Sequence, residues 1–254
     1  MRVLVTGSSR GLGKAIATTF IAADHDVVIH GTTALSPMTL GEFDGTMANL
    51  TAHLGAATYI VGDLSIPNNP FITDLLPFDI VINCAGGDIG RRGVIGDHAG
   101  KPHNNNPVDI VQGDVMSLFE RNFLTTYNVC RSVVPSMITR RSGSIINIGS
   151  MNVNLSLPES SIYSAMKAAV HHYTRTLATY LRPYGVRVNC VAPGGTLTPR
   201  FLASRLPPAN LLQQDDSFVR YAQPTEVAQA VYDVAVGLPF TTGQIIYVDG
   251  GMSA

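Results

Sequence analysis

Charge is scarce in this sequence. Only 14% of its 254 residues are Asp, Glu, Lys or Arg, 45% are hydrophobic, and the formal net charge is −1. So apolar a chain buries a large core, which excludes a disordered segment. A net charge near zero offers nothing to a phosphate backbone, so no nucleic-acid partner is expected. There is no Lys/Arg run to mark a membrane surface, and no apolar run approaches the roughly 20 residues that span a bilayer. Cysteine is also sparse. Cys84, Cys130 and Cys190 lie far apart with no Cys-x-x-Cys pair. They read as buried free thiols of a reducing compartment rather than as reactive groups. A strand-like run begins at Arg2, where a secretory signal would need a charged and then apolar leader. A cytoplasmic protein is therefore expected.

What is present is a regular alternation. Short apolar runs stand at Arg2–Thr6, Val27–His30, Thr58–Val61, Ile80–Asn83, Ser144–Ile148, Val186–Val191 and Gln244–Val248. Helical spacing fills the segment after Gly13 and the stretches 46–53, 108–141, 161–182 and 224–236, with Pro135 late in the second of these four and Pro224 opening the last. The strands are apolar throughout rather than alternately, the mark of a parallel sheet covered on both faces. The prediction is a doubly wound, Rossmann-type sheet of about seven parallel strands with helices on both faces. No repeat or composition break divides the chain, so one domain over 1–254 is expected. Two polar stretches, 86–107 and 193–223, follow the fourth and sixth strands. Ligands of open α/β sheets bind beyond the carboxyl ends of strands, so both should border the active site.

Thr6-Gly-Ser-Ser-Arg-Gly-Leu-Gly13 joins the first strand to the first helix. Gly7 suits a tight turn, Gly11 the close approach of a pyrophosphate and Gly13 helix-to-sheet packing, with Ser9, Arg10 and Leu12 counted as further contacts. Helix N-terminal amides would then face the phosphates. The second strand ends His30-Gly31-Thr32-Thr33, without the carboxylate that would hold an adenosine ribose and repel a 2′-phosphate. Arg10, with Thr32 and Thr33, can instead take that phosphate, although a solvent-exposed Arg10 is the bland alternative. NADP(H) is therefore favoured over NAD(H). Tyr163 and Lys167 stand four apart at the start of a helix and share a face. A nearby ammonium favours the phenolate and would tune the phenol for proton transfer near neutral pH. Ser150 ends the fifth strand thirteen positions earlier, placed to bond the same substrate oxygen or, more plainly, to cap a turn.

The Gly-x-x-x-Gly-x-Gly spacing after Thr6, together with Ser150, Tyr163 and Lys167, resembles the short-chain dehydrogenase/reductase family, and its 3-oxoacyl-carrier-protein reductases in particular. The resemblance covers almost the whole chain. It implies hydride transfer between a nicotinamide cofactor and a small-molecule carbonyl or alcohol. It adds Asn122 to the catalytic group as support for a water chain to the lysine. Among cofactor contacts it adds Asp63 and Leu64 at the adenine, where a helix N-cap is the alternative for Asp63. It also adds Asn83, Ala85 and Gly86 under the ribose, with Cys84 standing where the family has asparagine. Lys167 would hold the nicotinamide ribose, and Pro193, Gly194, Thr196 and Thr198 would close over the nicotinamide. A homotetramer or homodimer is implied as well. The departures are the polar insertion after Gly86 and the absence of an arginine before Pro224. No metal is expected: Asp97, His98 and His103 read as solvated loop or substrate rim, while the adjacent His171 and His172 point to different sides and suit packing or a subunit contact. The rival readings are a catalytically silent nucleotide-binding sensor or scaffold, which loss of Tyr163 or Lys167 would have favoured, and a sugar-nucleotide epimerase or dehydratase, for which the six residues after the last strand are too few.

Overall fold

Val3, Leu4 and Val5 have no solvent exposure at all, and the reason is the sheet they sit in. The computed structural model describes residues 1–33, 55, 58–68, 70–93 and 97–254. Seven strands form one sheet in the order β3-β2-β1-β4-β5-β6-β7, every pair of neighbours parallel. They are β1 (Arg2–Val5), β2 (Asp26–Gly31), β3 (Thr58–Val61), β4 (Ile80–Asn83), β5 (Gly143–Ile148), β6 (Val186–Pro193) and β7 (Ile245–Val248). Successive side chains leave opposite faces of a strand. Val3, Val5, Ile80, Ile82 and Ile146 therefore join one core, while Leu4, Val81 and Ile145 join the other.

Each core is closed by helices. On the first face lie α1 (Gly11–Ala22) and a C-terminal helix, Pro224–Tyr232, which contribute Ile16, Phe20, Val227 and Val231. The second face is covered by a short turn of helix, α2 (Pro70–Thr73), and by two long helices. One of these runs as α3 (Gln112–Phe119), a widened π turn (Glu120–Leu124) and α4 (Thr125–Arg140). The other is α5 (Ser161–Leu181). Short helices α6 (Pro199–Ala203) and α7 (Ala209–Leu212) follow β6, which makes the C-terminal helix α8. The expected Rossmann architecture and strand count are observed. Strand boundaries differ by a residue or two. The region read as one long helix from 108 begins at Gln112 and contains the π turn. The expected helix 224–236 is regular over Pro224–Tyr232 and passes into a second π turn at Asp233–Gly237. The expected helix at 46–53 lies outside the described residues. Among the described residues no helix is long and apolar enough to cross a membrane.

Between β1 and β4 the strand order reverses, so the loops after them diverge and leave a crevice at their carboxyl ends. Behind it a polar ladder crosses the second core. Asn83 Nδ2 donates to Asn147 Oδ1 at 2.9 Å, and Asn147 Nδ2 donates to Thr174 Oγ1 at 2.9 Å. The ladder ties β4, β5 and α5 together at the level where the site begins.

Candidate active site

The glycine loop is held from below by the side chains of Thr6 and Ser8 and by His30 of β2. Thr6 Oγ1 accepts from the amides of Cys84 and Ala85 at 3.0 and 3.1 Å, joining the β1 and β4 loops. The buried Ser8 hydroxyl donates to Val5 O and accepts from the His30 amide. The Gly7 amide donates to His30 Nδ1 at 2.9 Å, and His30 Nε2 lies 2.9 Å from Gly62 O. An amide can only donate, so Nδ1 is the accepting nitrogen and Nε2 carries the hydrogen. That is the neutral ring, in keeping with burial lowering the pKa of His30. The glycines are sterically required. Gly7 has φ +64°, and a Cβ there would stand 2.8 Å from Ala85 Cα; a Cβ at Gly13 would stand 2.3 Å from Gly7 O. The first turn of α1 carries no acidic residue and no side-chain cap, so its positive end faces the crevice.

Two connected clefts cross this loop, of about 270 and 400 Å³. Gly7, Arg10 and Gly86 line both. The larger also holds Ser9, Thr32, Thr33, Asp63, Leu64 and Ala85. The smaller holds Gly11, Leu12, Gly13, Ser150, Tyr163, Lys167, Pro193, Gly194, Thr196 and Thr198. Two expected residues line neither. The side chain of Asn83 is spent in the ladder behind the crevice and on Cys130 Sγ. Asn122 is fully buried in the π turn. Its Oδ1 accepts from Gly87 N at 2.9 Å, and its Nδ2 donates to Gly87 O at 3.0 Å and Leu118 O at 2.8 Å. It shapes the Gly86–Gly87 turn, a use for which its place inside a helix gave no hint. Asp63 caps its own turn, accepting from the Ser65 amide and hydroxyl.

Tyr163 opens α5 and Lys167 lies one turn on, its Nζ 5.8 Å from the centre of the Tyr163 ring. Lys167 is buried, and Nζ donates to Ile148 O at 2.7 Å. Burial lowers its pKa. Ser150 stands two residues past the end of β5. Its hydroxyl accepts from the Asn152 amide, the capping role that is the plain alternative, while facing the same cleft as the phenol. Its amide donates to His171 Nε2 at 3.3 Å. Burial, and then the Asp88 carboxylate, push the Tyr163 phenol up to about 12, while Ser150, Arg200 and Arg205 act the other way. The polypeptide's own groups therefore keep the phenol protonated rather than tuning it to neutral pH.

The insertion after Gly86 is not simply a solvated loop. Asp88 and Asn105 are 7% and 6% exposed. The Asp88 carboxylate accepts from Asn105 Nδ2 at 3.0 Å and from Ser160 Oγ at 2.9 Å, and pairs with Lys101 at 3.8 Å. This fastens the insertion to the residue preceding α5. Arg200, in the first turn of α6, donates from Nη2 to Asp88 O. Asp88, Arg200 and Arg205 line the smaller cleft beside Tyr163, and sequence reading singled out none of them. Arg200 stood within a stretch expected to border the site, two places after Thr198, which was the available signal. His98 and His103 are exposed. No cluster of three or more metal-ligating side chains occurs among the described residues. Cys130 and Cys190 are buried free thiols, and Cys84 a half-buried one. Burial pushes Cys84 up to about 11, which leaves it unreactive.

Residues 1–206 match the family model described as short chain dehydrogenase. An uncharacterized oxidoreductase of Mycobacterium tuberculosis is 31% identical over 98% of this chain and 91% of its own. A 3-oxoacyl-[acyl-carrier-protein] reductase of Thermotoga maritima is 31% identical over 98% of this chain and 96% of its own. A solved structure described as a short chain dehydrogenase/reductase family protein is similar with a TM-score of 0.80 and 31% identity, covering 100% of this chain and 98% of that one.

The Ser150–His171 contact generates a pH dependence. Burial, then Lys167 and Arg175, lower the His171 pKa from 6.5 to about 4. The unfolded chain thus binds this proton near 6.5 and the folded chain only near 4. Between those values the unfolded state holds more protons, so stability is complete above 6.5 and is lost as pH falls through the window. The thermal midpoint should decline across it. In His171→Gln, which does not titrate, the decline should be shallower; an identical slope in the variant contradicts the assignment.

Proposed function

The chain belongs to the short-chain dehydrogenase family and is an NAD(P)-dependent oxidoreductase acting on carbonyl and alcohol groups, and from that premise we propose that it prefers NADP(H) and uses Tyr163 as general acid and base. One observation carries this reading: Ser150, Tyr163 and Lys167 share a cleft that continues over the glycine loop. The loop fits a dinucleotide, because the approaches to Gly7 and Gly13 leave no room for a side chain. Thr32 and Thr33 are exposed at the end of β2, with Arg10 lining the same cleft. They supply hydroxyls and a guanidinium for a 2′-phosphate. The remaining expected contacts, Asp63 and Leu64 at the adenine end and Pro193 to Thr198 at the nicotinamide end, fit the same course.

When bound, the cofactor supplies or takes the hydride. The rest falls to the chain. Ser150 Oγ donates to the substrate oxygen and holds it beside the phenol. Tyr163, kept protonated by burial, gives its proton as negative charge develops on that oxygen. The phenolate left behind gains from the nearby Lys167 ammonium, a buried cation that until then has only a peptide carbonyl. Asn122 keeps the Gly86–Gly87 turn in place. We read the protein as one domain over 1–254, working in the cytoplasm as a homotetramer or homodimer. Apolar surface left exposed on its long helices supports assembly, Met116 at 46% and Tyr180 at 61% among it.

Two outcomes test the reading. Tyr163→Phe removes only a hydroxyl, so the fold and NADPH binding, followed by fluorescence, should persist. Turnover of an accepted ketone should fall about 10²–10⁴-fold, the usual contribution of a positioned acid. Retention of more than about a tenth of kcat sinks the assignment. For the cofactor, kcat/KM with NADPH should exceed that with NADH, and Gly31→Asp should shift preference towards NADH. Equal values in the wild type refute the preference.

A further inference from the structure

Arg200 is a cation with little to neutralise it. Its Nη2 reaches a neutral acceptor, Asp88 O, and its buried Nε has no hydrogen-bond partner among the described residues. The one carboxylate close by does not serve it. Asp88 is bonded to Asn105 and Ser160, and its ion pair is with Lys101. Nor do the other ion pairs among the described residues include Arg200. Leaving a half-buried guanidinium without a close counter-ion is costly, and desolvation lowers its pKa to about 10 even against the field of Asp88. A second guanidinium, Arg205, lies 4.4 Å over the Phe201 ring on the same rim. Both cations face the cleft that Tyr163 faces, and both are near enough to act on its phenol. Asp88 is paired with Lys101, and its carboxylate still outweighs either arginine at the Tyr163 phenol. The rim nevertheless holds two guanidiniums, neither of them in an ion pair among the described residues.

We propose that Arg200, supported by Arg205, is an anion subsite at the substrate end of the cleft, so that the carbonyl compound this enzyme reduces bears an oxyanion such as a carboxylate or a phosphate. This rests on the assignment of Tyr163 and Ser150 as the groups that hold the carbonyl oxygen. A guanidinium presents paired donors to such a group. The substrate's charge would then neutralise a cation that the fold leaves uncompensated. The insertion gains a purpose, since Asp88 O orients the guanidinium from the residue that is itself fastened to the start of α5.

Matched pairs test the proposal in the intact enzyme with saturating NADPH: acetoacetate and 4-oxopentanoate, each against its methyl ester, and dihydroxyacetone phosphate against dihydroxyacetone. For at least one pair the anion should be favoured in kcat/KM by about tenfold or more, the scale of one charge-assisted hydrogen bond. The carboxylate and phosphate arms distinguish the two anions. Arg200→Met should erase that preference and Arg200→Lys restore part of it, while the Kd for NADPH stays within about twofold in both. Neutral partners used as well as the anions in wild type overturn the subsite. So does a Kd for NADPH that rises with the loss of the arginine, which would assign Arg200 to the cofactor's diphosphate. Calorimetry on Tyr163→Phe separates this proposal from the one beneath it. There the preferred anion should still bind in the presence of NADP⁺ and its neutral partner should not. Loss of discrimination in binding indicts the subsite, whereas discrimination with undiminished turnover indicts Tyr163.

Discussion

Lys167 is a buried ammonium. Among the described residues its hydrogen bond goes to one peptide carbonyl, Ile148 O, and it has no ion-pair partner. A cation taken out of water with so little in return is costly, and the fold must hold it there. Much of the site follows from that constraint. Ile148 is the last residue of β5, and Ser150 stands two places beyond it, so the strand end that holds the ammonium also presents the serine hydroxyl. Tyr163 lies one helical turn before Lys167, so the helix that delivers the ammonium also delivers the phenol. Since the lysine's field also opposes a second positive charge, His171 beside it stays neutral and can accept from the Ser150 amide. A buried phenol and a buried ammonium each favour their neutral forms when alone. A proton leaving the phenol relieves the ammonium, and this is the state that carbonyl reduction would generate under the role proposed for Tyr163.

The cofactor side depends on the same economy of partners. The Gly7 amide, the Ser8 hydroxyl and the Thr6 hydroxyl are all bonded below the loop, to His30, Val5 O and the β4 loop. These bonds fix the loop without drawing on the side chains of Ser9, Arg10 or Leu12, which line the clefts. Asn122 does the same for Gly86–Gly87, where a Cβ on Gly86 would meet Asn122 Oδ1 at 2.8 Å. Asp88 extends the pattern into the insertion, binding it to Ser160 just ahead of Tyr163.

Much of the architecture was legible because each strand is an apolar run short enough to be nothing else once helices alternate with it. The π turn was not, because it arises where Asn122 bonds to Gly87, 35 residues away. The loop glycines, and Tyr163 with Lys167, were legible as separate groups because the spacing within each is local; their meeting with Ser150 in one cleft is the work of the sheet. His30, Asp88 and Arg200 escaped for the opposite reason. His30 reaches back 23 residues to Gly7, Asp88 forward 72 to Ser160, and Arg200 back 112 to Asp88. No periodicity records such contacts. Asn83 shows the limit from the other side: it stands where a family contact is expected, yet the pleat turns its amide into the core. Spacing likewise reveals the ammonium beside the phenol but not the depth of burial that raises the phenol's pKa in the polypeptide alone.

The account turns on when the Tyr163 phenol ionises. Carbon-13 NMR of protein labelled at tyrosine Cζ, with Tyr163→Phe to assign the resonance, reports this directly. Without cofactor, the Tyr163 signal should be that of a neutral phenol throughout the neutral range, and adding NADP⁺ should bring its titration to lower pH. A phenolate at neutral pH in the protein alone, or a titration that NADP⁺ leaves unmoved, would contradict the coupling between Tyr163 and its buried surroundings.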